Sequence, residues 1–336
     1  MITLRKPGVV PTGEIWTQSN KNDDGYAVLY TTNTGRIIAG SNTGNGIWYS
    51  DDNGENWVQS NIDGGTFTAI CVTLTGRIVT CNTGSSGGIG YSDDNGETWT
   101  LLPNTSRKYK SLCVISTGRI IAGGINNGIW YSDDNGVNWV RSNKTNGFWN
   151  SLHITSTGRI IAGSNAGIWY SDDNGVTWIQ SNKTNSSWYS LCVTSTGRII
   201  AGTSNNGIWY SDDNGVTWVQ SNKTNGNCYT LCVTSIGRII AGGSTADTKD
   251  IIWYSDDNGI NWTQLSTINN SYTAWRSSCI TNTGRVVIGN GSGNGIWYSD
   301  PGVITGKYAR EKYLDQNSAQ EIVTQFKAYC DAKVGA

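Results

Sequence analysis

The residues best suited to chemistry lie in a short acidic motif, Ser-Asp-Asp-Asn-Gly-x-(Thr/Asn)-Trp, which occurs in six full copies. Clustered carboxylate and amide oxygens suit calcium, and paired carboxylates serve glycoside hydrolysis. Each motif alone offers too few oxygens for a calcium site, and repetition in six places is typical of a structural element. Because Asp, Asn and Gly favour tight turns, we predict structural roles, and no metal or cofactor, for Asp52, Asp94, Asp134, Asp173, Asp213 and Asp257.

The motif belongs to a longer repeat that runs through most of the sequence. A Gly-Arg pair marks each repeat, at intervals of 39 to 42 residues except for one of 47. Residues 188–222 read as four short strands joined by turns, which is typical of a propeller blade. The seven markers predict seven blades: Arg36, Arg77, Arg119, Arg159, Arg198, Arg238 and Arg285.

The two ends of the repeat region complement each other. A seventh motif breaks off at residues 299–301, and residues 13–20 match residues 215–222, the part that follows the turn. A ring closed by pairing the first strand with the last explains this division, whereas an open solenoid does not. We predict an all-β fold, a closed seven-bladed β-propeller of four-stranded antiparallel blades over residues 14–300, with a lead of residues 1–13.

The repeated motif, seen at Ser211–Trp218, resembles the Asp-box of the sialidase and BNR-repeat propellers. The resemblance covers about 85% of the sequence and implies a turn between the third and fourth strands, with the tryptophan packed between blades. It also implies glycosidase chemistry, in which a glutamate activates a nucleophilic tyrosine. The five glutamates lie instead in motif turns, on the closing strand or in the tail: Glu14, Glu55, Glu97, Glu311 and Glu321.

Other carboxylate pairs are weaker catalytic candidates. Asp23, Asp24 and Asp63 fall in loops of adjacent blades, and Asp247 and Asp250 fall in the longer loop of the sixth blade. Loop acids of this kind are usually solvated, and we find no paired constellation. We therefore expect no enzymatic activity, with a sialidase-like glycoside hydrolase as the alternative.

Variation among the repeats indicates where a ligand would bind. Nine residues before each marker glycine, six of the seven blades carry an aromatic residue, and the next position is nearly unrestricted. Aromatic rings beside amides and hydroxyls suit sugars, although the same rings could instead cap the core. Taking them to lie at the mouth of the central channel, we predict these ligand-binding residues: Tyr26, Phe67, Tyr109, Lys110, Trp149, Asn150, Trp188, Tyr189, Tyr229, Trp275 and Arg276.

After Pro301 the pattern changes to a helical one. A capping box at residues 318–321 precedes an apolar stripe, so residues 301–336 read as a linker and an amphipathic helix. Such a helix packs on its own propeller, forms a homo-oligomer or docks on a larger assembly. Lys312-Tyr-Leu-Asp315 and Phe326-Lys-Ala-Tyr-Cys-Asp331 resemble the helical endings of some bacteriophage tail and receptor-binding proteins.

Composition narrows the partners and the compartment. A formal net charge of −1 and a pI near 5.9 argue against nucleic-acid binding. Without a membrane-length apolar run or a signal peptide, we expect no membrane insertion and a cytoplasmic origin, with incorporation into a virion tail if phage-encoded. Equivalent cysteines in different blades lie too far apart to pair, so we expect free thiols.

These observations predict a non-catalytic binding propeller, of the phage receptor-binding or tail type. It would recognise a glycan or another cell-surface ligand through the aromatic channel mouth, and the terminal helix would contact virion tail components. A protein-binding assembly scaffold is a further alternative.

Overall fold

The fold is an all-β propeller of seven four-stranded antiparallel sheets. A computed structural model describes residues 16–299, except 85–86, 103–106, 185, 245–249, 266–273, 292 and the side chain of Asp250. The first three blades are β2 (Tyr26–Thr31), β3 (Ile37–Ser41), β4 (Ile47–Ser50), β5 (Val58–Gln59); β6 (Phe67–Val72), β7 (Ile78–Asn82), β8 (Ile89–Ser92), β9 (Thr100–Leu101); β10 (Tyr109–Val114), β11 (Ile120–Gly124), β12 (Ile129–Ser132), β13 (Val140–Arg141).

The next three blades follow the same order from the inner strand to the outer one. They are β14 (Trp149–Ile154), β15 (Ile160–Ser164), β16 (Gly167–Ser171), β17 (Ile179–Gln180); β18 (Trp188–Val193), β19 (Ile199–Thr203), β20 (Ile208–Ser211), β21 (Val219–Gln220); β22 (Asn227–Val233), β23 (Ile239–Ser244), β24 (Asp250–Ser255), β25 (Thr263–Gln264). The seventh blade joins β26 (Trp275–Ile280), β27 (Val286–Asn290) and β28 (Ile296–Ser299) to β1 (Trp16–Gln18).

The seventh blade closes the ring in the predicted way. Strand β1 pairs antiparallel with β28, with Trp16 opposite Ser299 and Gln18 opposite Trp297. Between the seventh blade and the first, Ser277 Oγ donates a hydrogen bond of 3.1 Å to the Tyr26 carbonyl. The predicted closed seven-bladed architecture is therefore confirmed.

The core lies between neighbouring blades. In six of the seven blades every residue of the second strand is buried, because adjacent sheets cover both faces of the strand. These strands are β3, β7, β11, β15, β19 and β27. This explains why the sequence of these strands reads as a continuous apolar run such as Ile-Ile-Ala-Gly. One blade cannot bury these faces alone, so each blade depends on its neighbours.

The ring has two different faces. The box face carries the motif turns and the turns between first and second strands, such as residues 32–36. The loop face carries the connections from blade to blade, such as residues 19–25, and those between second and third strands, such as residues 42–46. Each inner strand therefore runs from the loop face to the box face.

The lead of residues 1–13, the tail of residues 301–336 and its predicted helix lie outside the described residues. Within the described part, the seven cysteines are buried free thiols, and no helix has the length and apolarity needed to span a membrane.

The ring closure predicts a specific truncation effect. Deleting residues 1–18 removes β1 and leaves the edge of β28 unpaired, which exposes a template for association. We expect the free energy of unfolding to fall by at least about 2 kcal/mol, since several hydrogen bonds worth about 1 kcal/mol each are lost. Thermal unfolding and size-exclusion chromatography measure both effects. A control that lacks only residues 1–13 keeps β1; equal stability of the two proteins would contradict the closure.

Candidate ligand-binding site

The Asp-box turns are held by a repeated set of side-chain hydrogen bonds. In the fifth blade Ser211 Oγ donates to Asp213 Oδ1 at 2.8 Å, and the backbone N–H of Thr217 donates to the same oxygen at 2.8 Å. The Gly215 N–H donates to Ser211 Oγ at 2.9 Å, and Trp218 Nε1 donates to the Gly215 carbonyl at 3.1 Å. The carboxylate thus satisfies donors of its own turn.

The electrostatics agree with this structural role. Burial raises the pKa of Asp213, but hydrogen bonds from the Thr217 side chain and backbone and from Ser211 outweigh it, so the pKa of Asp213 lies below its ordinary value. The pKa values of the other five predicted aspartates are lowered in the same way: Asp52, Asp94, Asp134, Asp173 and Asp257. A carboxylate held ionised by turn donors is suited to structure rather than to proton transfer.

The same turns also join neighbouring blades. Asn214 has φ of 60°, and its Nδ2 donates to Thr157 Oγ1 of the preceding blade at 2.9 Å. Gly215 has φ of +86°, and a Cβ there would lie 2.7 Å from Ile161 Cδ1. Arg159 pairs with Asp172 at 2.6 Å and donates to the Asn214 carbonyl at 3.1 Å. The marker arginines therefore belong to the architecture of the box face.

The ring of aromatic side chains is buried, which corrects its predicted exposure at the channel mouth. Their exposed fractions are only 0 to 2%, for Tyr26, Phe67, Tyr109, Trp149, Trp188 and Trp275. Trp188, for example, packs against Trp209 and Trp218 with ring centroids 6.2 and 5.8 Å away. These rings fill the core beneath the loop face and offer no surface for stacking on a sugar.

A glycine of the preceding blade makes room for five of these six residues, whereas Cys81 occupies the equivalent position before Tyr109. A Cβ at Gly163 would lie 3.0 Å from Trp188 Cβ, and one at Gly289 would lie 2.9 Å from Tyr26 Cβ. The signal was present in the sequence: an aromatic residue in six blades, with glycine at the fourth position of six second strands, is the uniformity expected of architecture.

The next residue of each inner strand behaves differently. The pairing register shifts at this position in every blade, which is a β-bulge that redirects the side chain. We call these seven residues the bulge ring, and it comprises Ala27, Thr68, Lys110, Asn150, Tyr189, Tyr229 and Arg276. All are half-buried except Arg276, which is exposed.

Five members of the bulge ring form one cluster across five blades. Lys110 Nζ donates to Asn150 Oδ1 at 2.9 Å and lies 5.5 Å from the centre of the Tyr189 ring. The Tyr189 and Tyr229 rings are 5.1 Å apart, and the Arg276 guanidinium lies 4.9 Å from the Tyr229 ring. Burial, and then the charge of Arg276, lower the pKa of Lys110 to about 8. The structure therefore brings together the predicted residues of the variable position.

The catalytic alternatives are more dispersed. Asp23 binds Lys21 Nζ at 2.6 Å, and this hydrogen bond lowers the pKa of Asp23. Asp24 is buried and accepts hydrogen bonds from Thr43 Oγ1 and from the Gly25 N–H, while Asp63 is exposed. Asp247 and the side chain of Asp250 lie outside the described part of the chain.

No metal site is visible in the part of the chain that the structure describes, since no three His, Cys, Asp or Glu side chains converge there. His153 replaces the cysteine that five other blades carry at this position. Burial lowers the pKa of His153 to about 4, so the imidazole is neutral at physiological pH.

The two faces of the ring differ in charge. Among described side chains, the box face carries seven arginines and fourteen acids, whereas the loop face carries nine basic and three acidic residues. The acids of the loop face are Asp23, Asp24 and Asp63. Its basic residues are Lys21, Arg107, Lys108, Lys110, Arg141, Lys144, Lys183, Lys223 and Arg276. A net charge near zero thus hides a strong separation of charge across the ring.

Comparisons with known proteins confirm the class of repeat. The BNR/Asp-box repeat family matches residues 48–59, 91–101 and 253–264. The chain is therefore a seven-bladed β-propeller built from Asp-box repeats. A comparison with curated protein sequences finds no significant match.

Solved structures share the propeller at low sequence identity. Virginiamycin B lyase from Staphylococcus aureus is 12% identical with a TM-score of 0.67, and the match covers 85% of this chain and 98% of that one. YCF48 bound to D1 peptide is 14% identical with a TM-score of 0.66, over 88% and 99%. The Niastella koreensis GH74 enzyme is 16% identical with a TM-score of 0.70, over 86% of this chain and 54% of that one.

These comparisons correct the expectation that the protein is not an enzyme. The similar propellers include lyases and GH74 glycoside hydrolases. The fold therefore gives no argument against catalysis, and the expectation is withdrawn.

The placement of adjacent residues 188 and 189 gives a direct prediction. Trp188→Ala empties a buried site and should cost about 3–5 kcal/mol of unfolding free energy, as for other buried aromatic residues. Tyr189→Ala removes a half-buried ring of the cluster and should cost about 1 kcal/mol or less. Chemical denaturation of both variants measures the difference. Equal costs would mean that the division between core and surface at this strand is wrong.

Proposed function

We propose that the propeller binds a glycan of a cell surface through the bulge ring at the channel mouth on the loop face. The observation that carries this proposal is the cluster of Lys110, Asn150, Tyr189, Tyr229 and Arg276, five different side chains contributed by five blades. The flanking position is buried and aromatic in six blades, whereas this position varies and stays at least partly exposed. Variation at redirected positions of a rigid scaffold is what a binding site requires.

The chemistry of the cluster suits a hydroxyl-rich ligand. Tyrosine rings offer apolar faces and hydroxyl groups, and Asn150 supplies an amide. We therefore propose that Tyr189 and Tyr229, and not the buried aromatic residues, stack on the sugar. These two tyrosines come from neighbouring blades, and their ring centroids lie 5.1 Å apart with the ring planes tilted by 54°.

We also propose a setting for this binding. The resemblance of residues 312–331 to the endings of phage tail and receptor-binding proteins supports a virion receptor-binding role, with the tail of the chain contacting other virion tail components. A free-standing homo-oligomer is the second arrangement that such a tail would serve.

The test is binding of the full chain to a glycan array, followed by titration of the best ligand with variants. Tyr189→Ala and Tyr229→Ala should each weaken binding by about 1–3 kcal/mol, the range of a typical interface anchor. The matched control is Leu74→Ser, which removes an exposed side chain in a box-face turn where other blades carry a polar residue.

Two outcomes would contradict the proposal. One is the absence of binding to any glycan on the array, and the other is equal affinity of the tyrosine variants and the wild type. The bound ligand is also analysed for cleavage products, because lyases and glycoside hydrolases share the fold.

A further inference from the structure

The charged side chains of the two faces have different kinds of partner. On the box face six marker arginines pair with the first aspartate of the motif, as Arg198 does with Asp212 at 2.6 Å. The second aspartates accept hydrogen bonds from their own turns. The folded structure therefore gives these aspartates partners within their own blades, although acids still outnumber arginines on the box face.

The basic side chains of the loop face have few such ion pairs. In the described part of this face one salt bridge is present, between Lys21 and Asp23. Lys144, Lys183 and Lys223 lie instead over tryptophan rings of the next blade, 3.2, 3.9 and 4.4 Å from the ring centres of Trp169, Trp209 and Trp253. Ring contacts fix the position of an ammonium group without neutralising it.

The centre of the face repeats the imbalance at close range. Lys110 and Arg276 converge on the Tyr189–Tyr229 pair, and no acid in the described part of the chain forms a salt bridge with either. Like charges repel one another, and the pKa of Lys110 is lowered first by burial and second by the charge of Arg276. An anion between them would remove the repulsion and gain two charge-assisted hydrogen bonds.

We propose that the ligand of the loop face is an acidic polysaccharide. One anionic group of this polymer is held by Lys110 and Arg276, and further groups along it are attracted by the lysines on the surrounding tryptophans. This inference rests on the proposed glycan-binding function and names the class of glycan. The acidic box face adds a directional effect, because it turns away from a negatively charged surface while the loop face turns toward it.

The chemistry favours a polysaccharide over a nucleic acid. The basic groups come from loops and strands of several blades, on a protein with a net charge of −1. A nucleic-acid groove usually carries a continuous basic stripe on a basic domain.

The experiment compares polygalacturonate with its fully methyl-esterified form, which has the same backbone without the charge. We expect the full chain to bind the acid at least about tenfold more tightly. Affinity for the acid should fall by about tenfold or more between 50 and 300 mM NaCl, because salt screens exposed charges. Lys110→Gln with Arg276→Gln should lower the affinity by about tenfold, and Lys110→Arg should retain most of it.

The matched control changes the net charge equally on the other face. Val137→Glu with Val176→Glu introduces, in two Asp-box turns, the residue type that the first and second blades carry there as Glu55 and Glu97. This control should bind within about twofold of the wild type. If the glutamine pair fails to fold, the salt dependence of the wild type and the comparison with the ester still decide the question.

The outcomes separate the inference from the proposed function. Equal, salt-independent binding of the acid and its ester overturns the acidic class and leaves glycan binding intact. Binding of neither polymer, with no glycan bound on the array, overturns both. Tighter binding to duplex DNA than to polygalacturonate overturns the assignment to a polysaccharide.

Discussion

Every feature of this protein depends on one constraint, the closure of a ring whose first and last strands share a sheet. The pairing of β1 with β28 completes the seventh blade, so that every second strand can be covered on both faces. Closure also fixes the direction of each inner strand. Because these strands all run from the loop face to the box face, equivalent residues of seven repeats gather into rings at the same depth. A property of one repeat thereby becomes a property of a whole face.

The sevenfold repetition of equivalent residues has different consequences on the two faces. On the box face, the repeated Ser, Asp, Gly and Trp satisfy turn donors and fasten each blade to the preceding one through contacts such as Gly215 against Ile161. On the loop face, the bulge in each inner strand releases one side chain from the sheet. The fold requires no particular side chain at the bulge position. The residue type can therefore differ independently in each of the seven blades.

The seven-bladed architecture can be predicted because its repetition is visible in the amino-acid sequence itself. The interval between Gly-Arg pairs, and the division of one repeat between the two ends, were sufficient for the number of blades and for the closure. The structural role of Asp213 and its equivalents followed from the same uniformity. The variable position that forms the bulge ring, including Lys110 and Arg276, is visible when the repeats are compared with one another.

The burial of the aromatic residues that begin the inner strands is harder to predict from the sequence. Their position at the start of the inner strand suggests that Trp188 and its equivalents belong to a ligand surface, yet they are buried, and Trp188 packs beside Gly163 of the preceding blade. This contact joins residues in different blades, so local pattern alone does not reveal it. The bulge is equally hidden, since it depends on pairing register. In both cases, the alternation of residues along a strand predicts which side of the sheet a side chain occupies only where the strand pairing is regular.

The central claim is that the box face is architecture and the loop face is the binding surface. Hydrogen exchange of the full chain with and without polygalacturonate tests it most directly, because exchange reports protection segment by segment. The account predicts new protection at the starts of the inner strands around residues 110, 150, 189, 229 and 276, with unchanged exchange in the Asp-box turns. Protection confined to the Asp-box turns would contradict it.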